Sequence, residues 1–279
     1  MLNIVYLDFT TSKWFNMMKK IILFIVLFLP FFSWAQADIE CHIIDSLIIK
    51  ADTYIGKDIL EADYYISKNT LIKTNLSKSY YYQNISFGRI KTVCILNPLQ
   101  IVIFYTDFNA IVLLDNQLNE IQIINGNLFD IPINISVFGL AAQNKLWLFD
   151  IFTQKFSLYD FKTNTNNTIS TVINSVIKDY YSNYNYFYWI DNENHFYSIS
   201  IFGAIQTLGT IPDYDFIQII DASNVIFKKN NNLFLFHVKN QTLQKINLVE
   251  KSFTNHYYTN GILSIFTDTK IINYKIDLL

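Results

Sequence analysis

Four aspartates, Asp107, Asp150, Asp191 and Asp268, follow short apolar runs at comparable places along the chain. Carboxylates gathered on one side of a fold could hold a cation or a basic ligand, but calcium needs six or more oxygens converging on one point. These four sit on separate segments, and an Asp that ends a strand commonly bonds the backbone of its own turn. They are therefore read as turn residues. The densest aromatic run holds Tyr180, Tyr181, Tyr184, Tyr186, Tyr188 and Trp189. Tyrosine offers flat apolar area with a polar edge, which suits a sugar or a peptide segment. Residues 186–189 read as a core strand, whereas Tyr180, Tyr181 and Tyr184, close to a loop, are the candidate ligand-binding rim.

Other reactive residue types give less. His42, His195, His237 and His256 show no metal-ligand spacing, and each reads as a structural or surface residue. No nucleophile elbow, phosphate loop or dinucleotide fingerprint occurs, so no catalytic residue, metal or cofactor is assigned. Paired carboxylates drawn from distant segments would leave no local signature, so the question of an enzyme stays open. Cys41 and Cys94 are the only cysteines. In an exported chain they could form one disulfide; Cys94 could equally be a plain buried strand residue.

The elements that must position these residues are short strands. Residues 145–162 form two aromatic-rich runs, 146–149 and 156–159, around a polar turn. The same hairpin recurs at 64–74, 101–114, 186–199, 225–236 and 262–274. The second strands start at Leu71, Ile111, Phe156, Phe196, Leu233 and Ile271, spaced by 40, 45, 40, 37 and 38 residues. A period near forty built only from strands predicts a β-propeller of six four-stranded blades. Inner strands are expected at 90–96, 135–140 and 216–220, and outer ones at 117–124, 205–208 and 243–248. Runs such as 101–105 and 186–190 are apolar on both sides, as a blade covered by neighbours on both faces requires. The last copy leaves no residues for an outer strand, and an open ring would expose unpaired backbone edges. A strand at 47–50 is expected to close it.

The segments Leu146-Trp-Leu-Phe-Asp150 and Phe156-Ser-Leu-Tyr-Asp160 resemble NHL and YWTD-like propeller repeats, in which an apolar strand ends in Asp and the next ends in an aromatic followed by Asp. The copy with Asp107 and Asp115 is similar. The first, fifth and sixth copies depart from the pattern, with Lys68 and Lys228 near the turn position, and glycine totals only 7. The chain is also similar to exported propellers of Gram-negative bacteria, a resemblance that implies no particular activity.

Composition bounds the rest. With 279 residues, 51% hydrophobic, 17% aromatic and 16% charged, the chain can bury a large core and is not disordered. A formal net charge of −2 leaves no basic field for nucleic acid or anionic lipid. Lys19 and Lys20 precede an apolar run at 21–32 and the small-residue exit Ser33-Trp34-Ala35, the pattern of a secretory signal peptide cleaved after Ala35. The run is short for a spanning helix, so the mature chain is expected to carry no transmembrane span. The expected organisation is a leader over 1–35 and one propeller over 36–279. The leading functional expectation is an exported, non-catalytic scaffold that binds another protein of the periplasm or cell envelope. The alternative is a propeller enzyme or carbohydrate-binding protein with its site at the central channel.

Overall fold

The computed structural model describes Trp14 and residues 17–20, 38–75 and 78–278. The chain divides into two units, Met1–Ala37 and Asp38–Leu279. In the first, Trp14 and residues 17–20 are helical; the expected apolar run and cleavage site lie outside the described residues. Among the described residues no helix is long and apolar enough to cross a membrane.

The second unit opens with β1 (Ile39–Glu40) and β2 (His42–Ile48). Blade A follows as β3 (Thr53–Lys57), β4 (Asp63–Ser67), β5 (Thr70–Thr74) and β6 (Ser79–Tyr82), and blade B as β7 (Thr92–Asn97), β8 (Gln100–Tyr105), β9 (Ala110–Leu114) and β10 (Glu120–Asn125). Blade C holds β11 (Ile135–Ala141), β12 (Lys145–Asp150), β13 (Lys155–Asp160) and β14 (Thr165–Thr168). Blade D holds β15 (Ile177–Ser182), β16 (Tyr186–Asp191), β17 (His195–Ser200) and β18 (Ile205–Thr210). Blade E comprises β19 (Phe216–Ile219), β20 (Asn224–Lys229), β21 (Asn232–His237) and β22 (Thr242–Asn247), and blade F β23 (Asn255–Thr259), β24 (Ile262–Phe266) and β25 (Lys270–Lys275). Each blade is an antiparallel meander, and the six make a propeller. The inner strands β3, β7, β11, β15, β19 and β23 touch in that order, and β23 returns to β3. The second strand of every hairpin begins one residue before the position expected from the sequence, so the spacing is reproduced.

Continuous apolar runs arise because alternate residues of one strand serve two interfaces. On β8, Ile101, Ile103 and Tyr105 join the cluster between blades A and B, while Val102 and Phe104 join the one between B and C. Every blade interface has such a cluster. Five hold ten to thirteen buried residues, but the seam between F and A holds four: Ile49, Tyr54, Phe266 and Ile271. A cavity of about 210 Å³ lies at that seam, against Tyr54, Asn255 and Phe266.

Closure comes from the N-terminal segment. β2 pairs antiparallel with β25 and is the outer strand of blade F, while β1 pairs parallel with β22 on the outside of blade E. The closing strand is therefore His42–Ile48 rather than 47–50. Ile49 leaves the ladder to enter the seam, its N–H donating to Thr269 O at 3.0 Å. Asn273 Nδ2 donates to Asp45 at 2.6 Å, and Asn247 Nδ2 donates to Glu40 at 2.9 Å.

Few glycines are needed because asparagine takes the tight turns. Asn69, Asn109, Asn144, Asn194, Asn231 and Asn260 all have φ between 48° and 62°, a left-handed conformation that Asn tolerates better than most residues. Asn109 also ties blades together: its Nδ2 donates to Ile133 O at 2.6 Å and its Oδ1 accepts from Ile135 N–H at 2.9 Å. Asn69 does the same for Gly88 O and Ile90 N–H.

Candidate functional site

The meander order sends each blade's second-to-third-strand turn, and each outer-to-inner connection, to one end of the ring, here face I; the remaining turns form face II. Between the faces runs a central cavity of about 580 Å³, walled by the inner strands of all six blades.

Two glycines set its walls. At Gly56, with φ of 147°, a Cβ would sit 2.7 Å from the Tyr257 ring, so the missing side chain lets that ring lie against β3. At Gly139 a Cβ would collide with Ser182, so glycine there permits β11 and β15 to approach.

Tyr180 and Tyr181 lie on the inner strand β15 rather than on a loop, and both line the channel. Tyr180 stacks on Phe187 with centroids 5.4 Å apart, and burial pushes its hydroxyl up to about 12. Tyr181 stacks on Tyr188 at 6.2 Å. Tyr184 sits in the β15–β16 turn on face II, half exposed, and does not line the channel wall. Phe187, Tyr188 and Trp189 are core as expected; Tyr186 is 42% exposed instead, because it is the first residue of β16 and faces outward.

Cys94 lies on β7 in the channel wall, while Cys41 packs in the cluster between blades E and F. Both are free. The Cys41–Cys94 disulfide is thus not formed, because one thiol belongs to the channel of blade B and the other to the outer edge of the ring. Burial raises the Cys94 thiol and pushes Cys41 up to about 12.

The channel's charged groups are engaged. Lys57 Nζ meets Asp63 at 2.9 Å. Asp58 accepts from the N–H groups of Leu60 and Ala62 and from the Tyr64 hydroxyl at 2.8 to 3.0 Å. Asp179 accepts from the Tyr214 hydroxyl at 2.6 Å. Gln218 bridges to the next inner strand, donating to Tyr258 O at 2.9 Å and accepting from Tyr258 N–H at 2.6 Å. By contrast, the hydroxyls of Tyr181 and Tyr257 have no hydrogen-bond partner among the described residues. Burial pushes Tyr181 up to about 12, with Cys94 and Tyr188 adding to it. Burial also raises Tyr257, aided by Tyr181, Cys94 and Asp58. Both hydroxyls therefore stay protonated at neutral pH.

The turn aspartates do not converge. Asp150 accepts from the N–H groups of Asn134, Phe152 and Thr153 and from the Thr153 hydroxyl; Asp191 accepts from the N–H groups of Glu193 and His195. Asp107 and Asp268 are exposed. The histidines are equally scattered: His42 is exposed on β2, His195 lies 3.3 Å from Asp191, His237 bonds Asn224 and Gln244, and His256 is buried. Among the described residues no group of three or more His, Cys, Asp or Glu could hold a metal ion.

Face I carries a second feature that the sequence reading missed. Ile85, Leu128, Ile131 and Phe152 are each 80–82% exposed, with Phe108 and Val176 also exposed. All lie on the face I loops of blades A to C. The loops are joined to one another: Phe87 and Phe108 meet edge to face at 6.3 Å, Asn109 bonds the 126–134 loop, Ile151 N–H donates to Asn134 O at 2.9 Å, and Ile173 N–H donates to Gln154 O at 2.8 Å. The exposed side chains thus lie on linked loops over the half of face I that blades A to C form. Scattered loop hydrophobics look unremarkable until the blade phase is known, which is why periodicity alone did not expose them.

No protein-family model matches the sequence, and no curated protein matches it. Solved structures do share its fold. A virginiamycin B lyase from Staphylococcus aureus superimposes with a TM-score of 0.55 at 11% identity, over 88% of this chain and 97% of that one. YCF48 bound to D1 peptide gives 0.56 at 10% identity, over 86% of this chain and 100% of that one. A streptogramin B lyase gives 0.53 at 11%, over 86% and 97%. The likeness is one of fold.

Proposed function

We propose that this protein is an exported, non-catalytic propeller scaffold that binds another protein of the cell envelope through the apolar loops of face I, on a repeat of NHL- or YWTD-like type. The observation that carries the reading is the half-face of Ile85, Phe108, Leu128, Ile131, Phe152 and Val176. Exposed apolar side chains gathered on one side of a surface point to an interaction site. Phe108 meets Phe87 edge to face, and all six side chains lie outside the interblade clusters. The propeller fold is compatible with such a role, since YCF48 holds a peptide. The export part rests on the basic, apolar and small-residue order of residues 19–35.

The test is a paired capture from envelope extract. Phe152→Asp with Leu128→Asp should abolish recovery of a partner that the unaltered protein retains, while exposed positions leave stability within about 0.5 kcal/mol. Retention of the same partner by the folded double variant would move the contact elsewhere.

A further inference from the structure

We propose that the central channel is a binding site for a neutral saccharide, which lies against the Tyr181 and Tyr257 rings and takes their hydroxyls as its hydrogen-bonding edge. The site is separate from the apolar half-face, and neither reading needs the other.

Three observations lead there. The cavity of about 580 Å³ falls within the range of small-molecule sites, roughly 300–1,000 Å³. Its wall is aromatic at several places at once: Tyr180, Tyr181, Phe216, Tyr257 and Tyr258 all reach it. Such rings stack against the C–H faces of a pyranose while a phenol meets its hydroxyls.

The third observation is selective. The polar groups of the wall separate into those already engaged and those left over. Lys57, Asp58, Asp179 and Gln218 are held by Asp63, by the β3–β4 turn and Tyr64, by Tyr214 and by the Tyr258 backbone. Left over among the described wall residues are the hydroxyls of Tyr181 and Tyr257, which are not sealed from solvent, together with the buried Asn255 Oδ1 and His256 Nδ1, which have no hydrogen-bond partner. A hydroxyl both donates and accepts, so it matches another hydroxyl. An anion would find no uncommitted positive charge in the channel, since Lys57 is paired with Asp63, and a cation would have to compete with the Tyr214 hydroxyl that Asp179 already accepts from. A ligand with hydroxyls, flat apolar faces and no net charge meets all three conditions.

The inner strands preorganise the pair. Tyr181 is held by its stack on Tyr188, and Tyr257 by its contact with the bare backbone at Gly56. The Gln218 bridge to Tyr258 fixes β23 against β19 one residue beyond Tyr257. Binding would therefore order little that is not ordered already.

The experiment is isothermal titration of the protein with maltose, cellobiose and diacetylchitobiose as neutral probes, and with galacturonic acid and glucosamine as charged ones. At least one neutral disaccharide should bind saturably at one site per chain, with either charged sugar about tenfold weaker or worse. The double variant Tyr181→Phe with Tyr257→Phe keeps both rings and should weaken binding by about tenfold or more, since two hydrogen bonds are lost. Cys94→Trp, which fills the channel from β7, should abolish binding. Circular dichroism confirms that each variant folds; should the tryptophan variant not fold, the phenylalanine pair decides. Absence of saturable binding by all three neutral sugars, preference for a charged sugar, or unchanged affinity in the phenylalanine pair overturns the assignment.

Discussion

Deleting residues 38–50 should leave a chain that cannot hold the ring closed. Blade F has only three strands of its own, and β25 would become an edge along its whole length. The lost ladder joins six paired positions between β2 and β25. At about 0.5–1.5 kcal/mol net per hydrogen bond, it is worth about 3–9 kcal/mol. Ile39 and Ile49 are buried between blades E and F and at the F–A seam. Each adds about 1.5–3 kcal/mol, an upper estimate because the unfolded chain is itself partly collapsed. The sum reaches into the whole stability of an ordinary domain, about 5–15 kcal/mol. The seam has little to compensate with, since it holds four buried hydrophobic residues and a cavity. Urea unfolding followed by tryptophan fluorescence reports on the ring, because Trp147 and Trp189 are fully buried. The truncated chain should show no cooperative transition. A milder pair, Ile39→Ala with Ile49→Ala, should lower stability by about 2–5 kcal/mol per site. A truncated protein that unfolds at the original urea concentration would refute the clasp and the energetics assigned to it.

Two further outcomes follow. His256 is buried edge-on against Phe216, with Nε2 3.3 Å from Ile226 O. Burial lowers its pKa to about 3, Lys228 adds to the lowering, and the Ile226 carbonyl opposes it. The unfolded chain, titrating near 6.5, binds the proton first. Its contribution is therefore complete above about pH 6.5 and is lost as pH falls toward about 3, by up to about 1.4 kcal/mol per unit. The urea midpoint of His256→Leu should change less across that window than that of the unaltered protein; equal slopes would contradict the assignment. Export is checked by sequencing the N-terminus of protein recovered outside the cytoplasm, which should begin at Gln36; a chain retaining Lys19 and Lys20 would count against cleavage after Ala35.

Strand pairs were legible because both faces of each are covered, so β8 and β9 read as unbroken apolar runs. Elements with one open side were read less well, for the same reason. β2 is exposed throughout and carries Asp45 and Ser46, so only residues 47–50, which overlap its apolar end at Leu47 and Ile48, read as a strand. β15 mixes Lys178, Asp179 and Ser182 with its tyrosines because one side faces the channel, which made Tyr180 and Tyr181 look like loop residues. Tyr257 escaped notice for lack of an aromatic run around it. Its signal was repeat phase: it is the third residue of its inner strand, as Cys94 and Gln218 are of theirs. The disulfide could not be judged from spacing, since spacing does not separate a cysteine at the ring's axis from one at its rim.

The same division between shared and unshared positions separates structure from function. What recurs from blade to blade has a structural cause: turn asparagines supply the left-handed backbone, and Asp150 and Asp191 satisfy turn N–H groups. Lys73 shows that even a buried charge can be structural, since its Nζ donates to Asn116 O at 3.0 Å and Pro98 O at 3.4 Å, joining blade A to blade B. What does not recur includes groups with no such cause. Leu128 and Phe152 hold apolar area in water although each could be polar without disturbing any interblade cluster. The Tyr181 and Tyr257 hydroxyls sit in a confined channel where phenylalanine would pack as well and leave no polar edge unmatched. Groups that the fold does not need, and that it would be more stable without, are where contacts with other molecules are to be sought. Two such places in this ring are the half-face of blades A to C and the channel between β15 and β23.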